Sequence, residues 1–343
     1  MFCIAGQYAR PDVEAGAMND ASILVLATGG TIAGQAGSAT RRDYRPGQID
    51  IADFLADFAE LGLPARLTGR QVANIDSANI GPDIWRELHT QITRAMDDPA
   101  VDGIIITHGT DTAEETAFLL DLTLPTTKPV VLVGAMRPAD AVGADGLRNF
   151  ANAVNAVADK DAGGRGVLLV MGDQVLAARD ARKAQTTGSG AFVGFPRGAV
   201  ALANPASLDW LQPAWRTGEK ARFAFPANFP YVPIVHGYAG QEAGDITRAL
   251  DGGAKGIVLA GVGSGNAPDC VREALADAAR SGVVVVRASR VDEGLVDREP
   301  EDDANGFVAA RALGPAKARI LLQLLIASGT TDPEHVQEAF NRR

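Results

Sequence analysis

The sequence predicts an α/β protein with two domains, a larger N-terminal doubly wound and mainly parallel sheet followed by a smaller C-terminal α/β domain. Three observations support this fold class. The chain has 343 residues and 46% of them are hydrophobic, which is enough for more than one core. Short runs rich in Val, Ile and Leu recur along it, as in buried parallel strands. Helical patterns between these runs supply the crossovers that parallel strands need.

Seven apolar runs are predicted as strands. In chain order they read SILVLATGG, GIIITHGT, PVVLVGAM, GVLLVMGD, VPIVHGY, GIVLAGVG and GVVVVRAS. ETAFLLDLTL after the second run and LRNFANAVNAVAD after the third are predicted as crossover helices. A Pro- and aromatic-rich stretch, residues 205–231, interrupts the alternation and indicates a connection between domains. We therefore expect domains at 21–210 and 232–343 with a linker at 211–231.

Composition and charge narrow the class of partner. The net charge of −10 and the pI near 5.0 argue against nucleic acid and anionic membrane surfaces, so we expect a small-molecule substrate. No apolar segment approaches the roughly 18 residues of a membrane span. Cys3 and Cys270 are far apart and predict unpaired thiols. Residues 1–20 lack a signal-peptide pattern and are expected to be a disordered leader or a misannotated start, with residues 1–17 preceding the true start if that is Met18; a cytoplasmic location follows.

Two loops rich in threonine follow predicted strands. The first run leads into TGGT, where Gly29 and Gly30 permit a sharp turn and Thr28 and Thr31 offer hydroxyls. The second run leads into THGTDT, residues 107–112. Ligands of open α/β sheets bind outside the carboxyl ends of the strands. The two loops therefore predict one site at one edge of the sheet.

Parts of these loops are compatible with other interpretations. A glycine-rich turn often binds phosphate, but residues 28–34 contain neither GxGxxG nor GxxxxGK[ST]. TGGT by itself is compatible with a tight turn capped by Thr. His108 by itself is compatible with a packing residue whose hydrogen bonds are satisfied. The second loop favours a site, because Thr110, Asp111 and Thr112 concentrate hydroxyl and carboxylate groups where a strand ends.

The chemistry favoured by these residues is nucleophilic attack by threonine. A threonine hydroxyl needs a base, and a lysine held beside an aspartate can serve, which makes Lys183 and Asp111 candidate partners. The absence of GxSxG, and four His residues without an evident Ser partner, disfavour a Ser-His-Asp triad. Neither HExxH nor clustered His and Asp spacing is present, so no metal or other cofactor is expected.

Taken together, ATGGTIAG, THGTDTAEETAFLLDL and PVVLVGAMRPADAVGADG resemble the bacterial two-domain L-asparaginases. The resemblance continues through RGVLLVMGDQVLAARDARKAQTT, GIVLAGVGSGN, VVVVRASRV and KARILLQL, and covers about residues 21–341. It implies conversion of L-asparagine to L-aspartate and ammonia by double displacement through an aspartyl-enzyme ester, a step of asparagine catabolism.

The resemblance also implies site roles. Thr31 matches the family's nucleophile, and Tyr44 matches a loop tyrosine that helps to activate or position it. Thr110, Asp111 and Lys183 match the family's Thr-Lys-Asp set. Which threonine set activates the nucleophile and which activates water stays open.

Substrate-binding roles follow in the same way. Asp111 suits the substrate ammonium, Ser77 and backbone N–H groups near Thr110 suit its carboxylate, and the carbonyl of Ala135 matches a contact to the amide. Asn266 and an acidic residue, chosen as Glu301 with Glu299 and Glu293 as alternatives, match groups that a neighbouring subunit supplies. A homo-oligomer is therefore implied, a tetramer built as a dimer of dimers.

One segment departs from the family. Asp76, Ser77 and Ala78 stand where the family has Gly-Ser-Gln, so the substrate α-groups lose a polar contact and gain a negative charge nearby. Three alternatives to an asparaginase are a glutaminase-asparaginase of broader specificity, the amidase part of a transamidation enzyme, and a non-catalytic amino-acid-binding protein. The last would need Ser77 and Asp111, but not Thr31, Tyr44 and Lys183 together.

Overall fold

An eight-stranded sheet forms the N-terminal part of the molecule. The computed structural model describes residues 21–35, 49–59, 63, 65–215 and 221–342. The large sheet contains β1 (Ala21–Gly29), β2 (Ala65–Ile75), β3 (Gly103–Thr107), β4 (Val130–Val133), β5 (Val167–Met171), β6 (Gln174–Ala177), β9 (Ala201–Asn204) and β10 (Ser207–Trp210). Their order is β10-β9-β6-β5-β4-β3-β1-β2. The pairs from β2 to β5 are parallel, and those from β5 to β10 are antiparallel.

Helices cover both faces of this sheet. They are α1 (Ile51–Ala59), α2 (Pro82–Asp97), α3 (Ala113–Thr123) and α4 (Gly146–Ala158). Side chains alternate along a strand, so Ile105 of β3 packs in one core with Phe150 of α4, while Ile104 and Ile106 pack in the other with Leu120 of α3. A strand buried on both faces has no polar side, which explains the unbroken apolar runs of the sequence.

The smaller sheet is entirely parallel. It contains β11 (Ile234–His236), β12 (Gly256–Gly261), β13 (Val284–Ser289) and β14 (Phe307–Ala309), in that order. Its helices are α5 (Gly244–Asp251), α6 (Asp269–Arg280), α7 (Pro300–Asn305), α8 (Pro315–Ala327) and α9 (Pro333–Asn341). Phe118 and Leu122 of α3 share a core with Leu321 of α8. The two parts of the chain are therefore packed together through α3 and α8.

The predicted fold class is confirmed. The seven apolar runs coincide, to within a residue or a few at each end, with β1, β3, β4, β5, β11, β12 and β13, and the two predicted crossover helices overlap α3 and α4. The pattern missed the polar edge strand β2, the antiparallel strands β6, β9 and β10, and the hairpin of β7 (Ala181–Lys183) and β8 (Phe192–Gly194). Because β10 pairs with β9, the stretch 205–231 begins within the large sheet and connects the domains only beyond Trp210.

Two further observations bear on the sequence analysis. Cys270 carries an exposed free thiol, while Cys3 lies outside the described residues. Among the helices that the structure describes, none is long and apolar enough to cross a membrane.

Candidate active site

The TGGT loop turns sharply at the end of β1. Gly29 and Gly30 have φ angles of 97° and 82°, in the left-handed region that favours glycine. A Cβ atom on Gly29 would lie 2.6 Å from the backbone nitrogen of Ile75 on β2. The chain then enters a short 3-10 helix, Thr31–Ala33, whose residues are all buried. The two glycines thus place Thr31 at the carboxyl edge of the sheet.

The THGTDT loop packs directly against the first loop. A Cβ atom on Gly30 would lie 2.5 Å from Cα of Gly109, and one on Gly109 would lie 2.6 Å from Oγ of Ser77. The hydroxyl of Thr28 donates to the carbonyl oxygen of Thr107 at 2.9 Å. Three loops therefore converge on Gly109, and the structure brings the two Thr-rich loops together at one edge of the sheet.

Lys183 links two residues of the second loop. It is the last residue of β7, and its Nζ donates to Oγ1 of Thr110 at 2.9 Å and also to Oδ1 of Asp111. Thr110 is buried, whereas 61% of the Asp111 side chain is exposed. A hydroxyl, an amine and a carboxylate in contact form a path along which a proton can move. The exposed part of Asp111 is open to an incoming ligand.

Ser77 lies on a turn that two polar contacts hold in place. It begins the 3-10 helix Ser77–Asn79, and the carboxylate of Asp76 caps that helix by accepting from the backbone N–H of Ala78 at 2.8 Å. The hydroxyl of Thr112 donates to the carbonyl oxygen of Ser77 at 2.8 Å. The Asp76 carboxylate is thus engaged in capping, and Thr112 joins this turn to the second loop.

The loop that contains Ala135 is positioned by a residue that the sequence analysis missed. The buried carboxylate of Asp145 accepts from the backbone N–H groups of Met136 at 3.0 Å and of Arg137 at 2.9 Å. Asn149, one turn later on α4, donates to the carbonyl oxygen of Gly134 at 2.9 Å. Asp145 immediately precedes α4, and an Asp before an amphipathic helix is the pattern that could have indicated it.

His108 is a packing residue. It is fully buried, and its Nδ1 lies 2.6 Å from the carbonyl oxygen of Gly109, so Nδ1 carries the proton. Nε2 accepts from the hydroxyl of Thr116, which itself accepts from the indole N–H of Trp85. Burial lowers the pKa of His108 to about 4, and the bond to Gly109 opposes this shift. His108 is therefore neutral near pH 7 and all of its hydrogen bonds are made.

Asn266 and Glu301 lie at the smaller sheet. Asn266 is exposed in the turn after β12, and Glu301 of α7 pairs with Arg272 of α6 at 2.8 Å. Glu299 precedes α7, and its carboxylate lies 4.0 Å from Nη2 of the buried Arg287.

Arg287 organises this edge of the smaller sheet. It forms two bonds with the buried Asp302, at 2.5 and 2.6 Å, and donates to the carbonyl oxygens of Ser264 and Asp297. Arg287 therefore joins the turn that carries Asn266 to the segment that carries Glu299. Glu293 is exposed in the preceding loop.

Most of the predicted site residues can be placed. Thr110, Asp111 and Lys183 are in contact, and Ser77 and the first loop pack against Gly109 beside them. Ala135 is buried in the loop after β4. Tyr44 lies outside the described residues.

Comparisons with known proteins identify the family of this chain. Residues 22–216 match the family described as "Asparaginase, N-terminal", and residues 231–340 match the "Glutaminase/Asparaginase C-terminal domain". The chain is 42% identical over 326 residues to "L-asparaginase 2" of Escherichia coli, covering 94% of this chain and 93% of the relative. It is 40% identical over 327 residues to the "Probable L-asparaginase periplasmic" of Haemophilus influenzae, covering 93% of this chain and 92% of the relative.

A solved structure has the same fold. The crystal structure of a probable cytoplasmic L-asparaginase from Campylobacter jejuni superposes with a TM-score of 0.87 at 36% identity, covering 94% of this chain and all of that one. Both family models together span almost the whole described chain. The chain therefore belongs to the asparaginase family of amide hydrolases.

Proposed function

We propose that this protein hydrolyses L-asparagine to L-aspartate and ammonia by double displacement. Thr31 Oγ attacks the side-chain amide carbon, the C–N bond breaks, and ammonia leaves with the proton it gains. Water then attacks the aspartyl-Thr31 ester and releases L-aspartate while the hydroxyl of Thr31 is restored. Tyr44 helps to activate Thr31, as the family resemblance implies.

The observation that carries this proposal is the contact of Lys183 Nζ with Thr110 and Asp111. Two hydrolytic steps each need a group that accepts and returns a proton beside the nucleophile. The Gly30–Gly109 contact holds this group next to the loop that bears Thr31. A protein that only bound an amino acid would have no use for a lysine beside a buried threonine hydroxyl.

The remaining groups suit the two ends of an amino acid. Asp111 uses one oxygen for Lys183 and keeps the other for the substrate ammonium. The turn at Ser77 supplies a hydroxyl for the α-carboxylate, at the loop junction with Gly109. Asp76 lies beside this end of the substrate and lowers its affinity for a carboxylate. The carbonyl of Ala135 accepts from the substrate amide.

We further propose that a second copy of the chain completes the site, in a tetramer built as a dimer of dimers. Large apolar side chains are exposed in the loops after β4, β11 and β13 and in the first turn of α4: Val142, Tyr238, Val291, Leu295 and Leu147. We infer that they belong to the interface between copies, because the centre of a homo-oligomer interface is more apolar than the rest of a protein surface. Glu301 pairs with Arg272, and Glu299 caps α7 and lies 4.0 Å from Arg287, so Glu301 stays our choice for the acidic residue that joins Asn266, with Glu299 and Glu293 as alternatives.

The first experiment is ammonia release from L-asparagine by the purified protein, with Thr31→Ala beside it. Thr31→Ala deletes the nucleophile without enlarging the core, so turnover should fall by about a thousandfold or more while the fold is kept. A Thr31→Ala variant within about tenfold of the wild-type kcat would overturn the assignment of Thr31. Light scattering on the same samples tests the oligomer, because an active monomer contradicts the shared site.

A broader glutaminase-asparaginase is the second candidate. The family model for residues 231–340 carries both names. Asparagine and glutamine differ by one methylene, which a pocket distinguishes by only about 1–3 kcal/mol. Comparing kcat/KM for the two amino acids decides between these functions.

The cellular location is a separate proposal. The Campylobacter jejuni protein is described as a probable cytoplasmic L-asparaginase and the Haemophilus influenzae relative as a probable periplasmic one. We propose a cytoplasmic protein, the location given for the Campylobacter jejuni protein, whose structure this chain shares with a TM-score of 0.87. Fractionation of cells that express the full chain tests this, and recovery from the periplasm would contradict it.

A further inference from the structure

Lys317 is a fully buried lysine that reaches from the smaller domain into the larger one. It lies in the first turn of α8, and 3% of its surface is exposed. Its Nζ donates to the carbonyl oxygens of Ala178 at 2.8 Å and Arg179 at 3.0 Å, and to that of Ala181. An ammonium has three N–H donors and no acceptor, so these three carbonyls use its whole capacity.

The three carbonyls belong to the segment that presents Lys183. Ala178 follows β6, Ala181 begins β7, and Lys183 ends β7 two residues later. The adjacent Arg182 donates to the carbonyl oxygen of Ala312 at 2.6 Å, a second link between this strand and the smaller domain. The backbone N–H of Lys183 donates to Glu114 of α3 at 3.2 Å. The path of β7 is therefore set from both sides, and Lys317 bonds three backbone carbonyls at and just before its start.

Charged groups on the neighbouring elements face Lys317. Burial lowers its pKa to about 8; Glu114 and Asp180 oppose this shift, and Arg182 and Arg179 add to it. Near pH 7 the side chain is the charged form with three donors. A buried ammonium costs desolvation energy that an apolar side chain of similar size would not. Its position is explained by the carbonyls it holds, since an apolar residue would leave them without this donor.

We propose that Lys317 is a positioning residue for catalysis: from the smaller domain it holds residues 178–181 so that Lys183 meets Thr110 and Asp111. The inference rests on the proposed function, in which Lys183 moves protons. A small displacement of a reacting group slows the chemical step far more than it weakens substrate binding. Loss of Lys317 should therefore lower kcat and leave KM nearly unchanged.

The test compares Lys317→Met with a matched control, Lys128→Met. Lys128 also holds backbone carbonyls with its Nζ, those of Ala95 and Asp98, but it lies before β4. For Lys317→Met we expect kcat to fall about 10- to 100-fold with KM within about threefold of the wild type. For Lys128→Met we expect both constants to stay within about twofold. Urea unfolding of both variants shows whether they lose stability to a similar extent.

A double-mutant cycle separates positioning from a general structural role. If Lys317 acts through Lys183, Lys317→Met should cause no further loss of kcat in a Lys183→Met background. If Lys317→Met lowers kcat by the same factor with and without Lys183→Met, the inference is overturned. An unchanged kcat in Lys317→Met also overturns it. If Lys317→Met does not fold, Lys317→Gln replaces it in the cycle, because its amide keeps two N–H donors for the carbonyls.

The same cycle distinguishes failure of this inference from failure of the proposed function. If Lys183→Met turns over at the wild-type rate, Lys183 has no part in the mechanism and the proposed function loses its main support. If Lys183→Met loses turnover and Lys317→Met does not, only the positioning role of Lys317 is overturned.

Discussion

Gly30 and Gly109 are in backbone contact: a Cβ atom on Gly30 would lie 2.5 Å from both Cα and the nitrogen of Gly109. One glycine belongs to the loop that carries Thr31 and the other to the loop that carries Thr110. No side chain fits between them, so the distance between the two threonine loops is set by main chain against main chain. Backbone contacts of this kind are stiffer than contacts between flexible side chains, and they suit a site in which two hydroxyls must act in sequence.

The first prediction concerns this contact. Gly30→Ala places a Cβ against Gly109 in a residue with φ of 82°, which strains the backbone and pushes the loops apart. We expect a loss of about 2 kcal/mol or more in the free energy of unfolding and about a 100-fold loss in kcat. The measurements are urea unfolding and ammonia release.

The matched control for Gly30→Ala is Gly81→Ala. Gly81 has extended backbone with φ of −145°, and a Cβ there would have no atom within 4 Å. Its effect on kcat should stay within about twofold. Equal losses of kcat in the two variants would show that the close approach of the loops is not what the site requires.

The second prediction concerns acid stability. The pKa of His108 is lowered from 6.5 to about 4 in the folded chain, so between these values the unfolded chain binds a proton that the folded chain does not. Stability from this residue is full above about pH 6.5 and is lost as the pH falls, by about 3 kcal/mol on reaching pH 4. His108→Gln, which cannot titrate, should show a correspondingly smaller loss in urea unfolding between neutral and acidic buffer. The same pH dependence of stability in the wild type and in His108→Gln would contradict this role of His108.

The third prediction concerns the buried ion pair of Arg287 and Asp302. Their side chains are 7% and 1% exposed, so Asp302→Asn leaves a buried guanidinium without its charged partner. We expect a loss of about 3–5 kcal/mol in the free energy of unfolding. Weaker self-association by sedimentation should accompany it, because Arg287 holds the segments of Asn266 and Glu299.

Asp303→Asn, on the next residue of α7, is the control for that prediction. Asp303 pairs with Arg298 at the surface, with 58% of its side chain exposed. An exposed pair contributes about 0–1 kcal/mol, so Asp303→Asn should unfold and associate almost as the wild type does. If Asp302→Asn associates normally despite its lower stability, the two loops do not need Arg287 to form the interface.

The fourth prediction concerns substrate affinity. Asp76→Gly with Ala78→Gln restores the family residues around Ser77, removing a charge near the α-carboxylate and adding a hydrogen-bond donor. Each change is worth about 1 kcal/mol, or about 2 kcal/mol together, so KM for asparagine should fall by about 30-fold, and glutaminase activity should rise relative to asparaginase activity. Steady-state kinetics with both amino acids measures this.

The double substitution should also lower the stability of the protein, and a single variant serves as its control. Asp76 caps the 3-10 helix at Ser77 by accepting from Ala78 N–H, and loss of a cap costs about 1 kcal/mol of stability. Ala78→Gln alone keeps the cap. It therefore measures the effect of the new amide on KM separately from the effect of removing the Asp76 charge. Unchanged KM values in the double variant would mean that Ser77 does not bind the carboxylate.

The sequence by itself determined the fold class, the seven buried parallel strands and the loops that carry the site, because each of these depends on local pattern. Buried strands such as β3 need unbroken apolar runs, and a loop turning through Gly29 and Gly30 needs glycine. The sequence pattern also indicated Thr110, Asp111 and Lys183 as candidate catalytic residues. The family resemblance assigned their roles.

Only the tertiary structure decided which distant groups hold these residues in place. Lys317 lies 134 positions after Lys183 in the numbering, and nothing in its apolar helix indicates that its ammonium reaches the carbonyls of residues 178–181. Asp145 and Arg287 are similar: Asp145 accepts from backbone N–H groups of the loop after β4, and Arg287 bonds the carboxylate of Asp302 and the backbone carbonyls of Ser264 and Asp297. The antiparallel strands β6, β9 and β10 were missed for the same reason: short strands gain their stability from pairing, and pairing is a property of the folded chain.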